Sequence, residues 1–187
     1  MLDINKIELE LSFRLSEYRY LHSERVALEA KKLAHHYGVD EESAYIAGLL
    51  HDVAKEFSKE ENRMWIDKCG LSKELLSDDN IKTCHAEIGA VVAKELYGVS
   101  DLISQAICYH TVGNKKMNIL DKIVFVADKI ECGKNYPGIE EERVMAYQDI
   151  DKALILCLEN NKKKLDSEGK CFHPKALELL QYLLSKN

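Results

Sequence analysis

Six side chains in this sequence could do chemistry together: His22, His51, Asp52, His85, His110 and Asp128. A helix puts positions three and four apart on one face, and these polar residues fall on apolar stripes at that spacing. His22 is in register with Val26 and Leu33, His51 with Ala44, Ala47 and Gly48, and His85 with Ile88, Gly89 and Val92. His110 aligns with Leu102, Ala106 and Ile107, and Asp128 with Leu120, Val124 and Ala127. A lone inward histidine is ordinarily a hydrogen-bonded core residue. An inward aspartate is costlier, because a buried carboxylate must find a cation, a metal or a proton. Lys55 and Lys129 offer ordinary ion pairs to Asp52 and Asp128. Four imidazoles and two carboxylates aimed inward from separate helices nevertheless form the kind of cluster that marks a metal or catalytic centre. The adjacent His51-Asp52 pair adds a constraint. Neighbouring helical residues diverge by about 100°, so both can grip one ion only near a helix end or distortion.

The elements that must carry these residues read as helices almost throughout. Val26, Ala30, Leu33 and Tyr37 recur at intervals of three and four, and Gly38 supplies a stop. Asp40 caps a helix through Ala44, Ala47, Gly48 and His51. Ser58-Lys-Glu-Glu61 has the form of a capping box opening a helix that ends at Cys69-Gly70. Further helices run from near His85 through Ile88, Val92 and Leu96 to Tyr97-Gly98, and through Leu102, Ile103, Ala106, Ile107 and His110. Asn118 caps the segment carrying Leu120, Ile123, Val124, Ala127 and Asp128. A stretch from about Ile139 to Leu165 and a segment Pro174–Leu184 complete the set, with Pro174 suited to a first helical turn. The longer loops are Glu56–Ser58, Thr111–Met117 and Gly133–Gly138. No strand-like alternation, repeat or linker stands out, so the expectation is an all-α helical bundle forming one domain over residues 1–187.

Composition narrows the function. The chain has 187 residues with 46% hydrophobic and 31% charged, the balance of an ordinary globular protein. Its net charge of −6 argues against nucleic acid as a partner, since phosphate backbones reward a basic surface. A local cluster of cations can still hold a small polyphosphate. The first residues are charged and lack a signal-peptide core, and no apolar run approaches the roughly 18 residues of a membrane span. Six scattered cysteines without a Cys-x-x-Cys pair read as free thiols of a cytoplasmic protein. Cys84 and Cys108 read as buried spectators, Lys162-Lys-Lys164 as a solvated face, and Tyr18, Tyr109 and Phe172 as packing residues in preference to base-stacking ones.

At this point the residues resemble the HD-domain superfamily of metal-dependent phosphohydrolases, whose pattern is H…HD…D: here His22, His51-Asp52 and Asp128. The similarity is closer to the symmetrical bis(5'-nucleosyl)-tetraphosphatase branch. It is carried by Arg19-Tyr-Leu-His22, Ala47-Gly-Leu-Leu-His-Asp-Val-Ala-Lys55, His85-Ala-Glu-Ile-Gly-Ala90, Ala106-Ile-Cys-Tyr-His-Thr111 and Leu120-Asp-Lys-Ile-Val-Phe-Val-Ala-Asp-Lys-Ile-Glu131. The resemblance implies an HD-domain-like fold, an iron centre, and hydrolysis of diadenosine tetraphosphate to two ADP. It assigns His22, His51, Asp52 and Asp128 to the metal. It suggests Arg19, His22, Lys55, Glu56, Phe57, Ser58, His85, His110, Asp128 and Lys129 as nucleotide or phosphate contacts, with the late loop supplying Cys171 and Phe172. Where the family shows Pro-x-Arg after the Ile-Glu pair, this chain has Cys132-Gly133-Lys134. Lys134 keeps the charge but not the bidentate fork.

Two imidazoles and two carboxylates suit a divalent first-row ion such as iron or manganese (Mn2+) better than a thiolate-seeking metal, and the iron centre that the resemblance implies would be Fe2+ or Fe3+. Open positions on the ion would take water and a phosphoryl oxygen, lowering the water's pKa. Asp52, His85 and His110 are the catalytic candidates. The two histidines either act on phosphate charge and the leaving group or hold a second ion bridged by Asp52, so mono- and dinuclear centres both stay open. Lys55, Lys129 and Lys134 offset substrate charge. The expected partners are a dinucleoside polyphosphate and ADP, with a homodimer allowed. The competing functions are another HD hydrolase acting on a nucleoside mono- or triphosphate, and a non-catalytic metal and nucleotide sensor.

Overall fold

Side-chain caps cut this chain into helices where Ser, Asp and Asn precede apolar-periodic runs. The computed structural model describes residues 2–77 and 80–186. Among the described residues there are ten α-helices and no strand. In chain order they are α1 (Ile4–Arg14), α2 (Glu17–Tyr37), α3 (Glu41–Leu50), α4 (Lys59–Cys69), α5 (Cys84–Val92), α6 (Asp101–Tyr109), α7 (Ile119–Ile130), α8 (Ile139–Ala146), α9 (Ile150–Ser167) and α10 (Pro174–Leu184). A short 3₁₀ turn spans Lys73–Leu76, and α5 runs on into a wide π-helical turn, Ala93–Tyr97.

The caps read from the sequence are present. Asp40 accepts from Ser43 N, Ser58 and Glu61 form a reciprocal box, and Asn118 does the same with Asp121. Gly38, Gly70 and Gly98 end their helices in the left-handed conformation, which costs a Cβ-less residue little. Two elements differ from expectation. The stretch 139–165 is two helices, because Asp149 Oδ1 accepts from Asp151 N and Lys152 N and so starts a new helix after Tyr147-Gln148. The N-terminal segment, not assigned from sequence, forms α1. Asp3 caps it, and it buries only Ile7 and Leu11.

Helix α7 is at the centre. Leu120, Ile123, Val124, Phe125, Val126, Ala127 and Ile130 are all buried, and a helix apolar nearly all round must be enclosed on most sides. It packs against α2, α3 and α6 on the side of the histidines and against α8 and α9 on the other. Helices α2 and α3 make the closest crossing. Ala27, Ala30, Ala34, Ala44 and Ala47 are all buried, and a Cβ built on Gly48 would lie 2.7 Å from the Cα of Ala27. Small residues let these two backbones touch, which brings His22 and His51 within reach of each other. No helix among the described residues is long and apolar enough to cross a membrane, and all six cysteines are free.

Candidate metal centre

The helix ends aim the site. His51 and His110 are the first residues beyond α3 and α6. The adjacent His51-Asp52 pair is therefore at a helix end, where the geometry of neighbouring residues permits both to face one point. Carbonyl-rich C-termini of two helices meet there, and such ends favour a cation. His22 projects from the second turn of α2, His85 from the first turn of α5, and Asp128 from the last turn of α7. All six side chains are buried.

Asp52 is the hub. Its Oδ2 lies 3.3 Å from His51 Nε2 and 3.8 Å from His22 Nε2, while its Oδ1 lies 3.1 Å from His85 Nε2 and 3.6 Å from His110 Nε2. Asp128 Oδ1 closes the first group, 3.1 Å from His22 Nε2 and 3.8 Å from His51 Nε2. His85 Nε2 and His110 Nε2 are 3.3 Å apart. Two sets of potential ligand atoms result, His22–His51–Asp52 and Asp52–His85–His110, each gathered within 4.8 Å. Donors held about 2.1 Å from one ion stand roughly 3 to 4.2 Å apart in tetrahedral or octahedral arrangements. The separations observed match.

The tautomers make the same point. A carbonyl oxygen only accepts, so His51 Nδ1, 2.6 Å from Gly48 O, carries a proton, and so does His110 Nδ1, 2.7 Å from Ile107 O. His22 Nδ1 faces Glu131 Oε1 at 3.2 Å. With their Nδ1 protons so committed, neutral imidazoles would turn Nε2 lone pairs toward carboxylate oxygens and toward each other. His51 Nε2 is buried without a hydrogen-bond partner. Lone pairs converging on carboxylates repel unless a cation or protons stand between them, and second-sphere bonds of this kind are how histidine ligands are ordinarily oriented. The donor set fits a divalent first-row metal.

Cations and burial set the electrostatics. Burial alone would raise the Asp52 carboxyl, but the imidazoles of His51, His110 and His85 packed around it hold it well below the usual carboxylate range. Asp128 is likewise held low against burial by Lys129, His22, His51 and Lys134. Burial pushes His85 down to about 4 and also lowers His110, whereas the Asp52 charge overcomes burial to raise His51. Arg19 Nη1 donates to Asp52 Oδ2 at 2.6 Å, and Lys129 Nζ donates to Asp128 Oδ2 at 2.6 Å. Lys55 does not pair with an aspartate; its Nζ sits 3.3 Å from His85 Nε2.

The remaining residues singled out from sequence divide. Lys134 lines a cleft beside the cluster together with Lys129. Glu56 points elsewhere: it receives hydrogen bonds from Ser16 N and Oγ, both at 2.7 Å, and so braces the start of α2. Ser58 is spent capping α4, and Phe57 packs against the core beneath the Arg14 guanidinium. Cys171 is exposed and Phe172 packs against the core, and neither makes a polar contact with the cluster. Tyr18, read as a packing residue, is 70% exposed and stacks under Arg19 instead. Two site residues escaped the sequence reading. Glu131 is buried and accepts from His22 Nδ1, from Arg25 Nε at 2.7 Å and from Gly133 N. Arg25 follows His22 by one helical turn, a spacing that was visible. That Glu131 lay opposite was not.

An all-helical bundle with a histidine–aspartate cluster of this geometry defines a metal-binding helical class. The chain belongs to the HD domain family, which it matches over residues 19–133. It is 36% identical over 173 residues to a Bacillus subtilis protein named symmetrical bis(5'-nucleosyl)-tetraphosphatase, covering 92% of each chain. A Halalkalibacterium halodurans protein of the same name is also 36% identical, with 91% of each chain covered. In structure it is similar to a Clostridium acetobutylicum protein described as a predicted HD superfamily hydrolase involved in NAD metabolism. The TM-score is 0.90 at 34% identity, with both chains fully covered.

Proposed function

We propose that this protein hydrolyses diadenosine tetraphosphate symmetrically, releasing two ADP. The observation that carries the reading is Asp52, whose two oxygens each face a separate pair of histidines, beside a rim of Arg19, Lys55, Lys129 and Lys134. The relatives named for this activity support the substrate. His22, His51, Asp52 and Asp128 would hold one ion, and Asp52, His85 and His110 would hold a second. Iron is the first choice and manganese the next, since imidazole and carboxylate donors suit both. Such a centre would supply Lewis acidity and lower the pKa of water.

The chain's own groups do the rest. Arg19 and Lys129 already donate to Asp52 and Asp128, so positive charge is in place where a tetraphosphate would come to lie. The Lys55 ammonium adds a further positive charge, 3.3 Å from His85 Nε2. In the overall reaction the water oxygen bonds to one of the two central phosphorus atoms. The bond from that phosphorus to the bridging oxygen breaks, and the bridging oxygen leaves with the other ADP. The water's protons end on product oxygen and solvent. The six free cysteines accord with work in a reducing cytoplasm, and the net charge of −6 speaks for a small anionic substrate over nucleic acid.

The test is product analysis on diadenosine tetraphosphate, wild type beside Asp52→Asn, with metal content measured on both. Two ADP per substrate from wild type, with loss of metal and of at least 10²-fold in kcat in the variant, is the expected result. Release of ATP with AMP, or of inorganic phosphate from a mononucleotide only, would overturn the proposal in favour of another nucleotide hydrolase. Equal turnover in Asp52→Asn would overturn the site.

A further inference from the structure

A cavity of about 680 Å³ lies beside the metal cluster, between the loop that follows α7 and the C-terminal half of α9. Its volume is within the roughly 300–1,000 Å³ usual for small-molecule sites. Four lysines line it: Lys129, Lys134, Lys163 and Lys164. Among the described residues, only Lys129 of the four has a carboxylate within ion-pair distance, and that carboxylate is Asp128 of the cluster. Lys162, the neighbour that does not line the cavity, is paired with Asp166. Lys163 and Lys164 keep the exposure expected of a solvated helix face, and both border this hollow.

The floor of the cavity is built. Glu142 is wholly buried and accepts from Tyr136 Oη and, at 2.8 Å, from Asn160 Nδ2. Tyr136 Oη also donates to Lys129 O, which ties the floor to the helix end carrying Asp128. Glu142 is thereby satisfied by neutral donors, and the lysines above it stay available. Ammonium groups gathered around one hollow repel each other, in a chain whose net charge is −6; an anion between them removes that cost. Tyr136 and Pro137 add flat apolar surface, and Asn161 adds an amide able to read a purine edge.

We propose that this cleft is a second nucleoside-diphosphate subsite. It takes the half of the substrate that leaves the metal on the Lys129 side, while the other half lies toward Lys55, His85 and His110. The inference rests on the symmetrical hydrolysis proposed above and deepens it. Scission at the middle anhydride puts the reacting phosphorus at the midpoint of the substrate, so recognition from both ends needs two nucleotide-sized spaces flanking the metal. Lys163 and Lys164 would bind phosphate oxygens, and Asn161 with Tyr136 the base.

The decisive variant is Lys163→Ala/Lys164→Ala, both exposed on α9, with Lys31→Ala/Lys32→Ala on α2 as a control for overall charge. Metal-loaded proteins are assayed on diadenosine tetraphosphate and titrated with ADP by calorimetry. The cleft variant should raise KM about tenfold with kcat within twofold. It should bind one ADP per chain where wild type binds two, and the control should match wild type. A KM within twofold of wild type, an equal rise in the control pair, or a single ADP bound by wild type would each overturn the second subsite. If wild type makes no ADP at all, the symmetrical hydrolysis fails first and this inference falls with it, an outcome distinct from an active enzyme indifferent to the two lysines.

Discussion

Replacing Gly48 by alanine should damage the metal site without touching any of its residues. A Cβ there would meet Ala27 Cα at 2.7 Å, Ala27 N at 3.0 Å and Val26 C at 3.1 Å. All three are backbone atoms, so no side chain can swing aside. Restoring ordinary contact distance means opening the α2–α3 crossing by about 1 Å, and overpacking of this kind costs about 1–3 kcal/mol. Alanine recovers about 1 kcal/mol of helix propensity, leaving a net loss of up to about 2 kcal/mol. For a chain of this size that is a fall in Tm of up to about 8 °C. The functional effect should be larger than the stability effect. Gly48 O receives the His51 Nδ1 proton, and His22 is five residues before Ala27, so the opening separates two rings whose centroids are 5.2 Å apart. A 1 Å misplacement at a reaction centre can cost about 10²-fold in rate. Thermal denaturation, metal content and kcat on the same preparations make the assay. A Gly48→Ala protein with unchanged or higher Tm and full metal loading would refute the claim that this backbone contact sets the spacing of the ligands.

Three further outcomes follow from the same geometry. Glu131→Ala frees the His22 Nδ1 proton and the Arg25 guanidinium together, and metal affinity should fall about 10–100-fold, measured by competition with a chromophoric chelator; Glu131→Gln, which keeps an acceptor for the ring, should recover part of it. Glu142→Ala leaves Tyr136 Oη and Asn160 Nδ2 without their buried acceptor, costing about 2–4 kcal/mol, read as a lower urea midpoint with an unchanged m-value. Stripping the metal with a chelator should lower Tm by about 8–16 °C if the ion is present at about a thousand times its Kd, since that concentration contributes about 4 kcal/mol. No shift on chelation would mean that the histidine–carboxylate cluster is satisfied by protons alone.

The local rules were legible residue by residue. Ser58-Lys-Glu-Glu61, Asn118 and Asp40 start helices because a cap acts on amides two or three residues away, and Pro174 because its ring presets a helical φ; neither needs anything from the rest of the fold. The inward direction of His22, His85 and Asp128 followed from the helical period, and the placement of His51-Asp52 at a helix end from the divergence of adjacent side chains. The helix break at Tyr147–Asp149 was missed because the apolar period continues across it while Asp149 diverts the first amides of α9. Helix α1 was missed because only two of its residues are buried, too few to raise a stripe above its charged surroundings.

By itself, then, the chain's order of residues determined an all-helical protein and the identity of six metal-competent side chains, since periodicity and capping are short-range effects. Only the tertiary structure decided how those side chains are shared. It made Asp52 the bridge between two histidine pairs, set Glu131 behind His22 from more than a hundred positions away, and gave Asp52 to Arg19 in place of Lys55. It also set Lys163 and Lys164 at the border of a cleft lined by Lys129, while Glu56 and Ser58 went to capping. Those choices depend on where helices cross, and the α2–α3 crossing that matters most rests on the hydrogen atom of a single glycine.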